Sequence, residues 1–178
     1  MNLEYVNHSG GAEGADKCWG ETGKEYGVTS IHYYHGIKTP HGNRSLTDKE
    51  MEEGWIEVLE ANKVLKRNPA YYKSLLSRNW FPVKYSEAIY AIGTILRKQV
   101  VDGGTGWAVQ MAINHSKPVF VFDQTLKGWY HYSYIENKFI NLTTIPTLTN
   151  SYAGIGTRKL TKLGEQAIQD TYKITFHK

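Results

Sequence analysis

Three short stretches carry residue types suited to holding an anion. The first is Ser9-Gly10-Gly11-Ala12-Glu13-Gly14-Ala15-Asp16. The second is Asp102-Gly103-Gly104-Thr105-Gly106-Trp107. The third is Gly154-Ile155-Gly156-Thr157-Arg158. Of the 17 glycines, eight fall in these stretches. Glycine lets the backbone take a positive φ and lets a ligand approach it closely. Each stretch follows a β-type run and leads into a helical pattern. A helix N-terminus has unpaired N–H groups and about half a positive charge, which favours phosphate. Ser9 and Thr105 add hydroxyl donors, and Arg158 adds a guanidinium able to pair with phosphate through two parallel hydrogen bonds. One such loop alone is equally well explained as a tight strand-to-helix turn. Three on one sheet point to a phosphate-bearing ligand.

Other residues admit two readings each. Asp16 suits a ribose hydroxyl, or a bond back to its own glycine loop, as Asp near helix starts often makes. Trp107 suits stacking on a base, or burial in the core. His32, His35 and His41 have spacing seen in metal ligation. They lie on a strand and a loop with no acidic cluster beside them, so no metal is expected. Lys38, His41, Asn43 and Arg44 form a polar loop that either reaches the pocket mouth or is solvated. Cys18 reads as a small buried residue on the first helix.

The elements that position these groups follow from periodicity. Leu3 to Asn7 reads as a strand, then a helix runs to about Tyr26 and ends at Gly27. Val28 to Tyr34 is β-branched and aromatic and reads as a second strand. A loop spans His35 to Arg44. Ser45-Leu46-Thr47-Asp48 opens a helix whose apolar positions repeat to about Arg67, and Pro69 ends it. A short helix is expected over Ala70 to Ser77. Ala88 to Thr94 and Pro118 to Asp123 are continuous apolar runs, as in buried parallel strands. Trp107 to Asn114 is a helix. Trp129 to Leu142 reads as a β-hairpin turning at Glu136-Asn137. Thr149 to Ile155 is a last strand and Leu160 to Tyr172 a last helix. Strands alternate with helices, so the class is α/β with an open, mostly parallel sheet.

Composition bounds the rest. The 178 residues suit one domain, with a hairpin insertion at about 128–142. Hydrophobic residues are 40% and charged residues 21%, which excludes wholesale disorder. One cysteine excludes an internal disulfide framework and a Cys-rich zinc site. No apolar run approaches the roughly 20 residues that span a bilayer. The first residues lack a basic segment followed by an apolar stretch, so a cytoplasmic protein with no membrane partner is expected. The net charge of +4 suits a phosphate pocket and is equally a solubilising excess. By itself it is no nucleic-acid signature. The 13 tyrosines and five tryptophans exceed what a core this size takes with satisfied polar tips, so a groove or a self-association surface is implied.

Ser9-Gly10-Gly11-Ala12-Glu13-Gly14-Ala15-Asp16 resembles the Ser-Gly-Gly-Ala-x-Gly-Ala-Asp loop of the SLOG superfamily. Its members include DprA-like DNA-processing proteins, YpsA-like proteins and Lonely Guy (LOG) phosphoribohydrolases. Tyr152-Ala153-Gly154-Ile155-Gly156-Thr157-Arg158 resembles that superfamily's first strand and its Gly-x-Gly-Ser/Thr-Arg turn. Most members place that turn before the Ser-Gly-Gly loop. Here the order is reversed, as in the circularly permuted YpsA-like branch. Arg78-Asn79-Trp80 to Ile92, then Gly103-Gly104-Thr105 and Lys117-Pro118-Val119, also look like that branch. The resemblance leaves out the hairpin. It implies a Rossmann-like nucleotide-binding fold, circularly permuted, with no cofactor required. The implied site comprises Ser9, Gly10, Gly11, Ala12, Glu13, Gly14, Asp16, Gly103, Gly104, Thr105, Gly106, Trp107, Gly154, Gly156, Thr157 and Arg158. Permutation is physically cheap where chain ends lie close together.

LOG-type enzymes carry Pro-Gly-Gly-x-Gly-Thr-x-x-Glu, whose Glu acts at the N-glycosidic bond. Here the Glu position holds Gln110 and the Thr position Trp107. An amide cannot act as a general base. Binding without turnover is therefore the expectation, with Asp16, Asp102 or Glu13 as the acids that could substitute. The resemblance implies a nucleotide or nucleotide-derived signal, NAD-derived or cyclic, bound by a sensor or sequestering protein of bacterial or phage conflict. The alternatives are a nucleotide N-glycosidase and a DprA-like single-stranded DNA-binding module. Family analogy also implies a homodimer or higher homo-oligomer.

Overall fold

A computed structural model describes residues 3–177. Among these residues, eight strands form one sheet: β1 (Val6–Ser9), β2 (Thr29–Tyr34), β3 (Arg44–Ser45), β4 (Ala88–Gly93), β5 (Val119–Asp123), β6 (Gly128–Ser133), β7 (Lys138–Asn141) and β8 (Ser151–Gly156). The spatial order is β3-β2-β1-β8-β4-β5-β6-β7. From β3 to β5 every pair is parallel, and the β6–β7 hairpin extends the sheet antiparallel from β5. The last strand is therefore interior. It pairs with β1 in the register Val6↔Ser151 to His8↔Ala153, and with β4 in the register Ala88↔Tyr152 to Ile92↔Gly156. The strand around Tyr152 thus lies beside the first strand.

Six α-helices among the described residues cover the two faces: α1 (Ala15–Glu25), α2 (Asp48–Leu65), α3 (Lys73–Arg78), α4 (Trp80–Tyr85), α5 (Thr105–Asn114) and α6 (Lys162–Phe176). Alternation along the strands sorts the core into two layers. Ile89 and Ala91 of β4 and Val119 and Val121 of β5 pack with Val58 of α2, Phe81 of α4 and Trp107 of α5. Ala88, Tyr90 and Ile92, with Tyr152, pack with Ala15 and Trp19 of α1 and Ala167 and Ile168 of α6.

Local chemistry sets the boundaries. Thr47 caps α2 with a reciprocal capping box, its hydroxyl accepting from the Glu50 amide and Glu50 Oε2 accepting from the Thr47 amide. The elements depart from sequence expectation in several places: Arg44–Ser45 pairs with β2 as β3, where the end of a loop and a helix start are expected. β1 begins at Val6 rather than Leu3. The short helix after Pro69 is a 3-10 turn, Ala70–Tyr72, running into α3. α4 is an additional helix with Pro82 in its first turn, where a missing amide costs no intrahelical bond.

Candidate functional site

β1 and β8 are followed by α1 and α6 on one face, whereas β4 is followed by α5 on the other. Neighbouring parallel strands whose chains leave to opposite faces open a crevice at their carboxyl ends. That crevice is a cleft of about 810 Å³. Its walls come from the loops after β1, β4 and β8, from α3 and from the start of α5.

The fold thus brings the three glycine stretches to one place. Gly10, Ala12, Asp16, Gly103, Gly104, Thr105, Trp107, Gly156, Thr157 and Arg158 line the cleft. Ser9, Gly11, Glu13, Gly14, Gly106 and Gly154 do not. The Ser9 hydroxyl accepts from the Gly11 amide at 3.2 Å, so it shapes its own loop. Trp107 is 5% exposed and packs mainly in the core, with one edge on the cleft. Gln110 is buried away from it and donates to Asn114. The loop carrying Lys38, His41, Asn43 and Arg44 contributes nothing to the lining. Arg44 pairs instead with Glu50, and that hydrogen-bonded pair pulls the Glu50 carboxyl down to about 2. Cys18 is half-buried, with Thr22 beside it.

The glycines serve two different ends. A Cβ on Gly14 would fall against the Thr157 carbonyl, on Gly106 against the Val101 carbonyl, on Gly154 against the Trp19 ring, and on Gly156 against the Ile92 carbonyl. These four are packing glycines. Gly103 and Gly104 have no heavy atom near their missing Cβ and face open cleft. Gly103 has φ +64°, which glycine accommodates; Gly104 has φ −62° and ψ −33°, which any residue adopts. Among the described residues, no acceptor meets the Gly104 and Thr105 amides at the start of α5. Gly10 is a third case. Its Cβ would lie 2.7 Å from Arg78 Nη2 and 3.2 Å from Asp16 Oδ2.

Asp16 staples two of the loops together. Its Oδ1 accepts from the Gly156 amide at 3.1 Å and its Oδ2 from the Ala12 amide at 3.4 Å. The reading of Asp16 as a bond back to its glycine loop is the geometry observed. Burial raises its carboxyl above the ordinary range, against the pull of Arg78 and of backbone amides. Arg78 stands opposite at the cleft floor. Its Nη1 donates to the Gly10 carbonyl at 3.1 Å, while its buried Nε has no acceptor among the described residues. Burial lowers the Arg78 pKa, Asp16 raises it, and the charge of Arg158 lowers it further.

The other cations differ in availability. Arg67 donates to the Gly103 and Val101 carbonyls, both at 2.9 Å, and so braces the second glycine loop. Arg158 and Lys159 are exposed on the rim. Gln124 ties the third loop to the end of β5, donating to the Lys159 carbonyl at 3.1 Å and accepting from the Thr161 amide at 2.7 Å. Arg67, Arg78, Asn79, Gln124 and Lys159 also line the cleft, and no motif in the sequence marks them as site residues. Their roles depend on which strand ends become neighbours, which no local pattern encodes.

Chemically, the arrangement offers open glycine faces, two unpaired amides, one buried guanidinium with a spare donor and two exposed cations. That set suits a tetrahedral oxyanion. The carboxylates in the cleft are Asp16 and Asp102, and both accept backbone amides; Asp102 Oδ1 takes the Gly103 amide at 2.8 Å. His32 and His41 are neighbours, with ring centroids 6.2 Å apart. Among the described residues, no group of three His, Cys, Asp or Glu could hold a metal ion. No helix among them is long and apolar enough to cross a membrane. Comparison with models of protein families, with curated proteins and with solved structures finds no significant match to this chain.

Proposed function

We propose that the chain binds a nucleotide or nucleotide-derived signalling ligand in this cleft without turning it over, as a sensor or sequestering protein. The observation that carries the reading is Arg78. Its guanidinium is mostly buried, its Nε lacks an acceptor, and it shares the cleft with the open faces of Gly103 and Gly104. Leaving a buried donor unsatisfied costs about 1–3 kcal/mol, and more for a charged group. The donor within reach of a phosphoryl oxygen in the cleft is Nη2, which no acceptor among the described residues meets, Nη1 being engaged by the Gly10 carbonyl and Nε lying beneath the surface. Arg158 and Lys159 supply further positive charge at the rim, which raises the local concentration of anions.

Binding without turnover is favoured by the state of the acids. Both carboxylate oxygens of Asp16 accept backbone amides, Oδ1 of the exposed Asp102 accepts one, and Gln110 is turned into the protein. The similarity to the permuted YpsA-like branch of the SLOG superfamily forms part of the same proposal. The central order β1-β8-β4 supports it, since the first and third glycine loops can share a cleft only if their strands are neighbours.

The test is mass spectrometry of small molecules released by heating the purified protein, with chromatography of nucleoside mono- and diphosphates and NAD after incubation. The expected result is a phosphorylated ligand returned unchanged, which also raises the melting temperature when added back. Appearance of free base would turn the assignment to an N-glycosidase. An affinity for single-stranded DNA that falls steeply with salt would turn it to a DprA-like module.

A further inference from the structure

The cleft has two unlike walls. The floor and one rim are cationic. Facing them, the stretch from the 3-10 turn through α3 into α4 presents Tyr72, Leu75, Leu76 and Pro82. Leu76 and Pro82 are buried beneath, whereas Tyr72 is 58% and Leu75 38% exposed. Their apolar area therefore remains accessible on the lip of a polar cleft.

This wall is held in place. Tyr71 meets Tyr72 edge-to-face, with centroids 5.2 Å apart and an interplanar angle of 73°, which restrains the Tyr72 ring. Lys73 Nζ sits 5.0 Å from the Trp55 ring centroid and ties the start of α3 to α2. Asn79 Nδ2 reaches the Gly104 carbonyl at 3.4 Å and ties the end of α3 to the second glycine loop.

Spacing connects the wall to the floor. Leu75 and Arg78 are three residues apart in α3 and so are neighbours on its surface, and Tyr72, which caps the N-terminus of α3, lies three residues before Leu75. The three steps from Leu75 to Arg78 rise about 4.5 Å along the helix axis. One edge of α3, with the residue that caps it, thus runs along the cleft from the exposed Tyr72 ring to the Arg78 guanidinium with its spare donor, which is the order of a base and its phosphates in a nucleotide.

We infer that this edge of α3 is the base-binding wall of the cleft: a nucleobase lies on Tyr72 and Leu75 while its phosphates reach toward Arg78. The inference rests on the nucleotide-binding reading above and adds to it the subsite that distinguishes a nucleotide from a bare phosphate. Stacking tolerates any base, because every base has a π-face.

The experiment is calorimetric titration of the full chain, and of Tyr72→Ala, Tyr72→Phe and Leu75→Ser, with inorganic pyrophosphate and with ADP, GDP, CDP and UDP. At least one nucleotide should bind the parent more tightly than pyrophosphate. Tyr72→Ala should weaken that nucleotide about 10- to 30-fold, within the range of one base–aromatic stack. Leu75→Ser should weaken it less, and Tyr72→Phe should restore it. Pyrophosphate affinity should be unchanged in all three, which also shows that the variants are folded. If pyrophosphate binds and no nucleotide binds more tightly, the base wall is wrong and the phosphate cleft stands. If Tyr72→Ala leaves the favoured nucleotide unaffected, or weakens pyrophosphate equally, the wall is likewise wrong. If neither pyrophosphate nor any nucleotide binds, both readings fall.

Discussion

Asp16 Oδ1 accepts the Gly156 amide at 3.1 Å across 140 positions of sequence, and this bond joins the opening turn of the first helix to the end of the last strand. The same carboxylate faces the Arg78 guanidinium across Gly10 without a direct ion pair. Removing either charge leaves the other buried and less compensated. Asp16→Ala also leaves the Gly156 and Ala12 amides without their acceptor and should destabilise by about 2–3 kcal/mol. Asp16→Asn keeps one acceptor oxygen and should cost less, about 1–2 kcal/mol. A cycle of Asp16→Asn and Arg78→Met in denaturant titrations should give a coupling of about 1 kcal/mol or more. Additive losses would mean the two charges are independent.

The division among glycines makes a second prediction. Gly106→Ala puts a Cβ onto the Val101 carbonyl and should destabilise by about 2–3 kcal/mol. Gly103→Ala meets nothing but must hold φ +64°, at about 1–2 kcal/mol. Gly104→Ala has both open space and a helical backbone, so stability should hold or rise by up to about 1 kcal/mol. Gly104→Val should still weaken pyrophosphate binding, through bulk in the cleft alone. Chemical denaturation separates the three variants, and equal losses would refute the division.

His8 gives a pH prediction. It is 6% exposed, with Nδ1 2.8 Å from the Tyr33 hydroxyl and Nε2 3.0 Å from the Ser151 hydroxyl. Ser151 donates its one proton to the Tyr85 carbonyl, so Nε2 carries the hydrogen and Nδ1 accepts from Tyr33. Burial, with a smaller push from Lys117, lowers the His8 pKa from 6.5 to about 4. The unfolded chain therefore takes up this proton first as pH falls. Stability should decline from about pH 6.5 to about pH 4, by at most about 1.4 kcal/mol per unit, and this contribution is absent above that window. His8→Gln should lower stability at pH 7 yet show a flatter profile between pH 7 and 4. Parallel profiles for the two proteins would rule out His8 as the source.

Much of this architecture is legible in the sequence because burial leaves periodic traces. Val119 to Asp123 and Ala88 to Gly93 are apolar runs since both sheet faces are covered. Thr47 and Glu50 announce the start of α2. α4 is not legible, because Pro82 reads as a breaker unless its place in the first turn is known. The glycine loops are legible as a group but not one by one. Gly14 and Gly103 look alike in sequence, yet one is filled by the Thr157 carbonyl and the other faces the cleft. The spare donor of Arg78 is invisible locally, since it arises only when the end of α3 meets the loop after β1.

The arginines lining the cleft should separate by what their nitrogens already hold. Arg158 is exposed, and among the described residues no hydrogen bond or ion pair engages it. Arg158→Ala should leave the melting temperature unchanged and weaken pyrophosphate binding by about 1.5–3 kcal/mol, the range for a hydrogen bond to a charged group. Arg67 already donates to the Val101 and Gly103 carbonyls. Arg67→Ala should lower stability and loosen the second glycine loop, so its binding loss should accompany a lower melting temperature. Arg78→Lys keeps the charge opposite Asp16 but loses the planar fork and Nε. It should bind pyrophosphate at least tenfold more weakly while stability falls by about 1 kcal/mol. Calorimetry paired with thermal unfolding on the three variants reads both axes. Should Arg67→Ala retain full stability, or Arg78→Lys bind like the parent, the assignment of Arg67 to bracing and Arg78 to the ligand would be wrong.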